Sequence, residues 1–113
     1  MLSMSIGEEF ELVAAAGDAE QAIVLAQETQ PDVAVVDVDM PRGGGLRAVT
    51  GLAEVAPGAA IVVLSIDETD AVVRGLLQAG AVSYLRKGIA PHVLAASLIA
   101  SIEAHAAVHA HSR

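Results

Sequence analysis

Residues 33–41 read Val33-Ala34-Val35-Val36-Asp37-Val38-Asp39-Met40-Pro41. An apolar, mostly β-branched run ends on a carboxylate, and a proline closes the segment. Such a run fits a strand covered on both faces. Two later runs have the same build. Ile61-Val62-Val63-Leu64-Ser65 ends in a hydroxyl, and Val82-Ser83-Tyr84-Leu85-Arg86-Lys87 ends in an ammonium. Short runs fall at 10–14, 33–37, 60–65 and 82–86, with helical spacing between them. Strands alternating with helices argue for a parallel α/β sheet with helices on its faces. Strand carboxyl ends then share one edge, where ligands bind. Asp37, Ser65 and Lys87 are expected to converge there, in a crevice suited to a phosphoryl group held covalently by Asp37.

The helices between these runs are marked by caps and breakers. Asp18 with Gln21 opens one, Ala22, Ile23, Leu25 and Ala26 give its apolar face, and Pro31 stops it. The next spans 44–55, with Leu46, Val49, Leu52 and Ala53 expected inward and Pro57-Gly58 beyond it. Asp67 or Glu68 opens a third, with Val72, Val73, Leu76 and Leu77 expected inward and Gly80 past its end. Pro91 starts the last, which is expected to run to about residue 108.

Composition narrows the function. A chain of 113 residues suits one domain, 1–113, and 54% hydrophobic content can fill a core. The formal net charge is −8, and the six Lys and Arg are scattered. That opposes direct nucleic-acid binding and favours protein partners. There is no Cys, so disulfides and cysteine-based metal sites are excluded. No apolar run in the sequence reaches the length of a membrane span, and residues 1–9 lack a signal peptide's pattern. The expected setting is cytoplasmic.

Together these segments resemble the receiver domain of two-component response regulators. The resemblance rests on the apolar strand into Asp37-x-x-Met40-Pro41, on Gly45-Leu46 starting the next helix, and on the strand into Ser65. It rests also on Ala79-Gly80-Ala81-x-x-Tyr84-Leu85-x-Lys87, and it covers about residues 8–104. It implies a flavodoxin-like, doubly wound parallel sheet and a signalling protein rather than an enzyme. It implies that Asp37 is the phosphoacceptor, taking a phosphoryl group from a sensor histidine kinase. Lys87 and Ser65 would bind phosphoryl oxygens, and Tyr84 would be the aromatic switch residue. The output surface would be the 67–107 face. Asp37 and the backbone carbonyl of Asp39 would contribute to a Mg²⁺ site.

The sequence departs from that family at its start. A receiver opens with a strand ending in two acids that hold Mg²⁺ beside the acceptor. Here residues 1–9 read as the remnant of a first helix, leading straight into strand 10–14. Glu8 and Glu9 precede that strand, at the end remote from Asp37. The sheet is therefore expected to be incomplete, with about four strands. Asp37, one carbonyl and water are too few ligands for tight Mg²⁺ binding. The missing strand is central in the family order 2-1-3-4-5, so its loss exposes an edge of strand 33–37. Two outcomes are expected: a homodimer with rearranged strands, or a repaired sheet with strand 10–14 moved beside 33–37.

Other readings use the same residues. A pseudo-receiver would serve as a phosphorylation-independent dimerisation or docking module. Asp37-x-Asp39 also resembles the first motif of haloacid-dehalogenase-type phosphatases, but the only acid after Lys87 is Glu103. Singly, Ser65 fits a turn, Lys87 a solvated charge and Tyr84 a core aromatic. The Ala/His-rich tail, 105–113, places His105 and His109 four apart, a spacing that can hold a metal. A frayed polar helix end is the expected reading, with metal binding there only adventitious.

Overall fold

The computed structural model describes residues 2–6, 10–15, 19–37, 44–65 and 70–111. Among them are β1 (Leu2–Ile6), β2 (Phe10–Ala15), α1 (Ala19–Thr29), β3 (Val33–Asp37) and α2 (Gly44–Val55). β4 (Ala60–Ser65), α3 (Asp70–Ala79), β5 (Ser83–Arg86) and α4 (Pro91–His111) follow. One sheet holds all five strands in the order β1-β2-β3-β4-β5. β2 to β5 are parallel, and β1 runs antiparallel to β2.

The apolar strands sort their side chains by period two. Ala34, Val36, Ile61 and Val63 enter one core, beneath Ala22, Ile23 and Ala26 of α1, Val49 and Leu52 of α2 and Leu76 of α3. Val33, Val35, Ala60 and Val62 enter a smaller core, under Leu98 and Ile102 of α4. The sheet is thus sandwiched at its centre, which is why β3 and β4 carry no alternation in sequence. Burying a side chain such as Leu52, fully enclosed, contributes about 1.5–3 kcal/mol.

α1 and α2 pack closely because Gly51 has no side chain. A Cβ there would lie 2.7 Å from Ile23 Cγ1. Gln30 ends α1 with a left-handed φ of 47°, and its own N–H donates to the Ala26 carbonyl at 2.8 Å. Its side-chain amide donates to Gln27 O at 3.1 Å and crosses to Val55 O at 3.0 Å, tying the two helix ends together. At the other end of α2, Arg47 Nε meets Glu20 Oε1 at 2.7 Å, and this holds the guanidinium above its ordinary value.

Three expectations are corrected. The residues read as a helix remnant, 1–9, instead contain strand β1, paired from Leu2↔Ala14 to Ile6↔Phe10. The reason is in the sequence: Leu2-Ser3-Met4-Ser5-Ile6 alternates strictly, the signature of a strand. The expected four strands are all present and parallel, but β1 adds a fifth. Leu46, Val72 and Leu77 point outward, at 54%, 52% and 42% exposure, because the buried stripe of each helix is narrower than its apolar content.

The expected repair of the sheet is seen. β2 pairs in parallel with β3, from Leu12↔Val33 to Ala15↔Val36. The edge of β3 is therefore covered within a single chain.

Candidate functional site

Parallel pairing aligns the carboxyl ends of β3, β4 and β5. Asp37 closes β3 opposite Leu64, and Ser65 closes β4 opposite Arg86. Lys87 follows β5, and its backbone N–H donates to Ser65 O at 3.1 Å. This contact anchors the lysine at the sheet edge. Its side chain spans β4, and Nζ reaches Asp37 Oδ1 at 2.8 Å. Both side chains are 30% exposed, so the pair is partly screened but open to a ligand. Ser65 is buried at 3% exposure. The structure thus gathers Asp37, Ser65 and Lys87 at one edge, as their spacing predicts.

Tyr84 lies opposite Val63 in the β4–β5 register. It packs against the larger core, and its hydroxyl oxygen is buried. The ring is therefore turned in under the α3 side of the sheet.

The β2 side of Asp37 differs. Ala15, the last residue of β2, stands opposite Val36, the residue before Asp37. Methyl groups offer no metal ligand. Asp39, Glu8 and Glu9 lie outside the described residues. No group of three His, Cys, Asp or Glu side chains could hold a metal among the described residues. Asp37 already has an ammonium as its cation. Strand β2 therefore supplies nothing for the Mg²⁺ site implied by the family, and the described donor set does not fit that ion. Ala15 was legible as a residue but not as a site neighbour, because only the β2–β3 pairing brings it there.

In the tail, His105 is held by the fold: its Nε2–H donates to Pro57 O at 2.9 Å, across the α2–β4 connection. The side chains of His109 and His111 lie outside the described residues.

Residues 2–99 match the family model of the response regulator receiver domain. Among related sequences, the transcriptional regulatory protein YxjL of Bacillus subtilis is 40% identical over 70% of this chain and 36% of its own length. The response regulator GacA of Pseudomonas aeruginosa is 40% identical over 72% of this chain and 38% of its own. Among solved structures, a LuxR-family response regulator from an Aurantimonas species superposes with a TM-score of 0.71 at 30% identity. The match covers 81% of this chain and 66% of that one. The response regulator domain of Thermotoga maritima CheB gives 0.63 at 26% identity, over 79% and 71%.

The chain belongs to the response regulator receiver family, and its α/β fold is that of CheY-like, flavodoxin-like receivers. It spans little more than a third of the length of the curated relatives it matches. Receiver domains are signalling modules of two-component systems, and in general they bind Mg²⁺ at the phosphorylation site.

Proposed function

We propose that this chain is a receiver module in which Asp37 accepts a phosphoryl group from a phosphohistidine of a sensor kinase. The observation that carries this reading is the Lys87 ammonium, 2.8 Å from the Asp37 carboxylate at the carboxyl edge of the sheet. A carboxylate is a competent nucleophile for phosphoryl transfer. An Asp37 oxygen bonds to phosphorus, the N–P bond of the donor breaks, and the imidazole leaves with the electron pair and takes up a proton. Asp37 loses its charge as an acyl phosphate, and Lys87 transfers its pairing to the phosphoryl oxygens. It acts as the neutralising cation that a clamp on a transferring phosphoryl group requires. The Ser65 hydroxyl would donate to a second oxygen. The change would be passed on through α3, β5 and α4 to a protein partner, as local charge changes bias a surface.

The alanines on β2 favour a second reading, a pseudo-receiver that docks or dimerises without phosphorylation. Treatment with acetyl phosphate, followed by intact-mass measurement, separates the two. The first reading expects a stoichiometric gain of about 80 Da, one phosphoryl group, absent in Asp37→Asn. An unmodified chain would leave the docking reading.

A further inference from the structure

We propose that the outer side of α1 is a docking groove for a basic amphipathic helix of another protein. The net charge is unevenly distributed along the chain. Residues 1–32 hold seven Asp and Glu and no Lys or Arg. Residues 33–113 hold the other seven together with all six Lys and Arg, so they are nearly neutral. The acidic stretch includes β1, β2 and α1. β1 and β2 form one end of the sheet, and α1 packs on β2. Nearly all of the net charge of −8 therefore belongs to the segment that builds one end of the molecule, and such a field draws cationic partners.

α1 adds shape to this charge. A groove of about 320 Å³ runs along it, walled among the described residues by Glu20, Gln21, Val24, Leu25 and Glu28. Val24 is 55% exposed, whereas Ala22, Ile23 and Ala26 of the same helix are buried in the core. Val24 and Leu25 thus make an apolar centre with a carboxylate at each end. Glu20 and Glu28 stand two turns apart, about 12 Å along the helix axis. Glu20 shares its carboxylate with Arg47 at 2.7 Å. Glu28 therefore carries the larger part of the attraction for a cation.

The complementary partner has an apolar residue with a Lys or Arg one helical turn before it and one turn after it. Its apolar side chain rests on Val24 and Leu25, and its cations meet the two glutamates. This is recognition of a helix in a groove, with charge fixing the register. A second copy of this chain does not supply such a helix. α1 and α4 contain no Lys or Arg, and α2 and α3 contain one each, Arg47 and Arg74. Nucleic acid and anionic lipid are repelled by the same carboxylates. The groove also lies at the other end of the sheet from β5, so docking there is separate from the route proposed for the phosphoryl signal.

Fluorescence anisotropy of a labelled synthetic peptide, titrated with the intact chain, tests the groove. The probe is an amphipathic Leu/Lys helix of about 15 residues, with a lysine roughly one turn to either side of a central leucine. Saturable binding is expected. Glu28→Lys and Val24→Lys should each weaken it at least about fivefold. Glu103→Lys makes the same change of charge on the exposed side of α4 and should leave binding within about twofold. All three positions are exposed, so circular dichroism should show the variants folded like the parent. A peptide of the same composition with its lysines scrambled off the pattern should bind at least about fivefold more weakly. The absence of saturable binding would overturn the proposal. Equal weakening by Glu103→Lys, or equal binding of the scrambled peptide, would also overturn it, by leaving only a general attraction to an acidic chain. So would self-association of the chain that Glu28→Lys abolishes in sedimentation equilibrium, which gives the groove to a second copy. Asp37→Asn should bind the peptide like the parent, so failure here is distinct from failure of the phosphoacceptor reading.

Discussion

The two sides of Asp37 are built from different chemistry. On one side, β4 and β5 bring a buried hydroxyl and an ammonium to the sheet edge, and the lysine already holds the carboxylate. On the other, β2 brings alanine. The groups proposed to bind phosphoryl oxygens and those that would bind a metal are thus separable parts of this fold. The sheet is continuous through both, so strand pairing alone does not specify the metal half. Pairing needs only backbone and a compatible face, and β2 satisfies that need in the position beside β3.

The largest effect expected from this comparison is at the acceptor. Asp37→Asn should abolish the acetyl phosphate adduct, and residual modification at another residue would move the site off this edge. Next is Lys87→Ala, which removes the ammonium paired with Asp37. It should slow adduct formation at least tenfold, while adding Mg²⁺ should not restore the rate. Rescue by Mg²⁺ would mean that the β2 side holds metal after all.

Smaller effects test the scaffold that sets the two halves in place. Gly51→Ala forces a methyl group against Ile23 and should cost about 1–3 kcal/mol, read as a lower midpoint in urea. An unchanged midpoint would mean that α1 and α2 are not packed as described. Smallest is Glu20→Ala, which removes an exposed pair with Arg47. It should leave the melting temperature unchanged within error, and a marked drop would assign this pair a structural role.

Much of this arrangement was legible in the residues. The unbroken apolar runs at 33–37 and 60–65 announce strands buried on both faces, and their terminal Asp37 and Ser65 announce a shared edge. Lys87 was legible from its place after the 82–86 run. β1 was not, because five alternating residues weigh little against the expectation of a helix set by the family's order. The outward turns of Leu46, Val72 and Leu77 depend on how narrow a stripe each helix buries, which sequence spacing does not fix. Gln30 was invisible as a cap, since a left-handed residue at a helix end is usually Gly or Asn. Here its amide bonds to neighbouring carbonyls accompany that conformation.

The contrast between the two sides of Asp37 is tested most directly by titrating Mg²⁺ into the intact chain and following heat by calorimetry. The account predicts no saturable binding through the millimolar range, and the same trace for Asp37→Asn. Saturable binding that disappears in Asp37→Asn would contradict it.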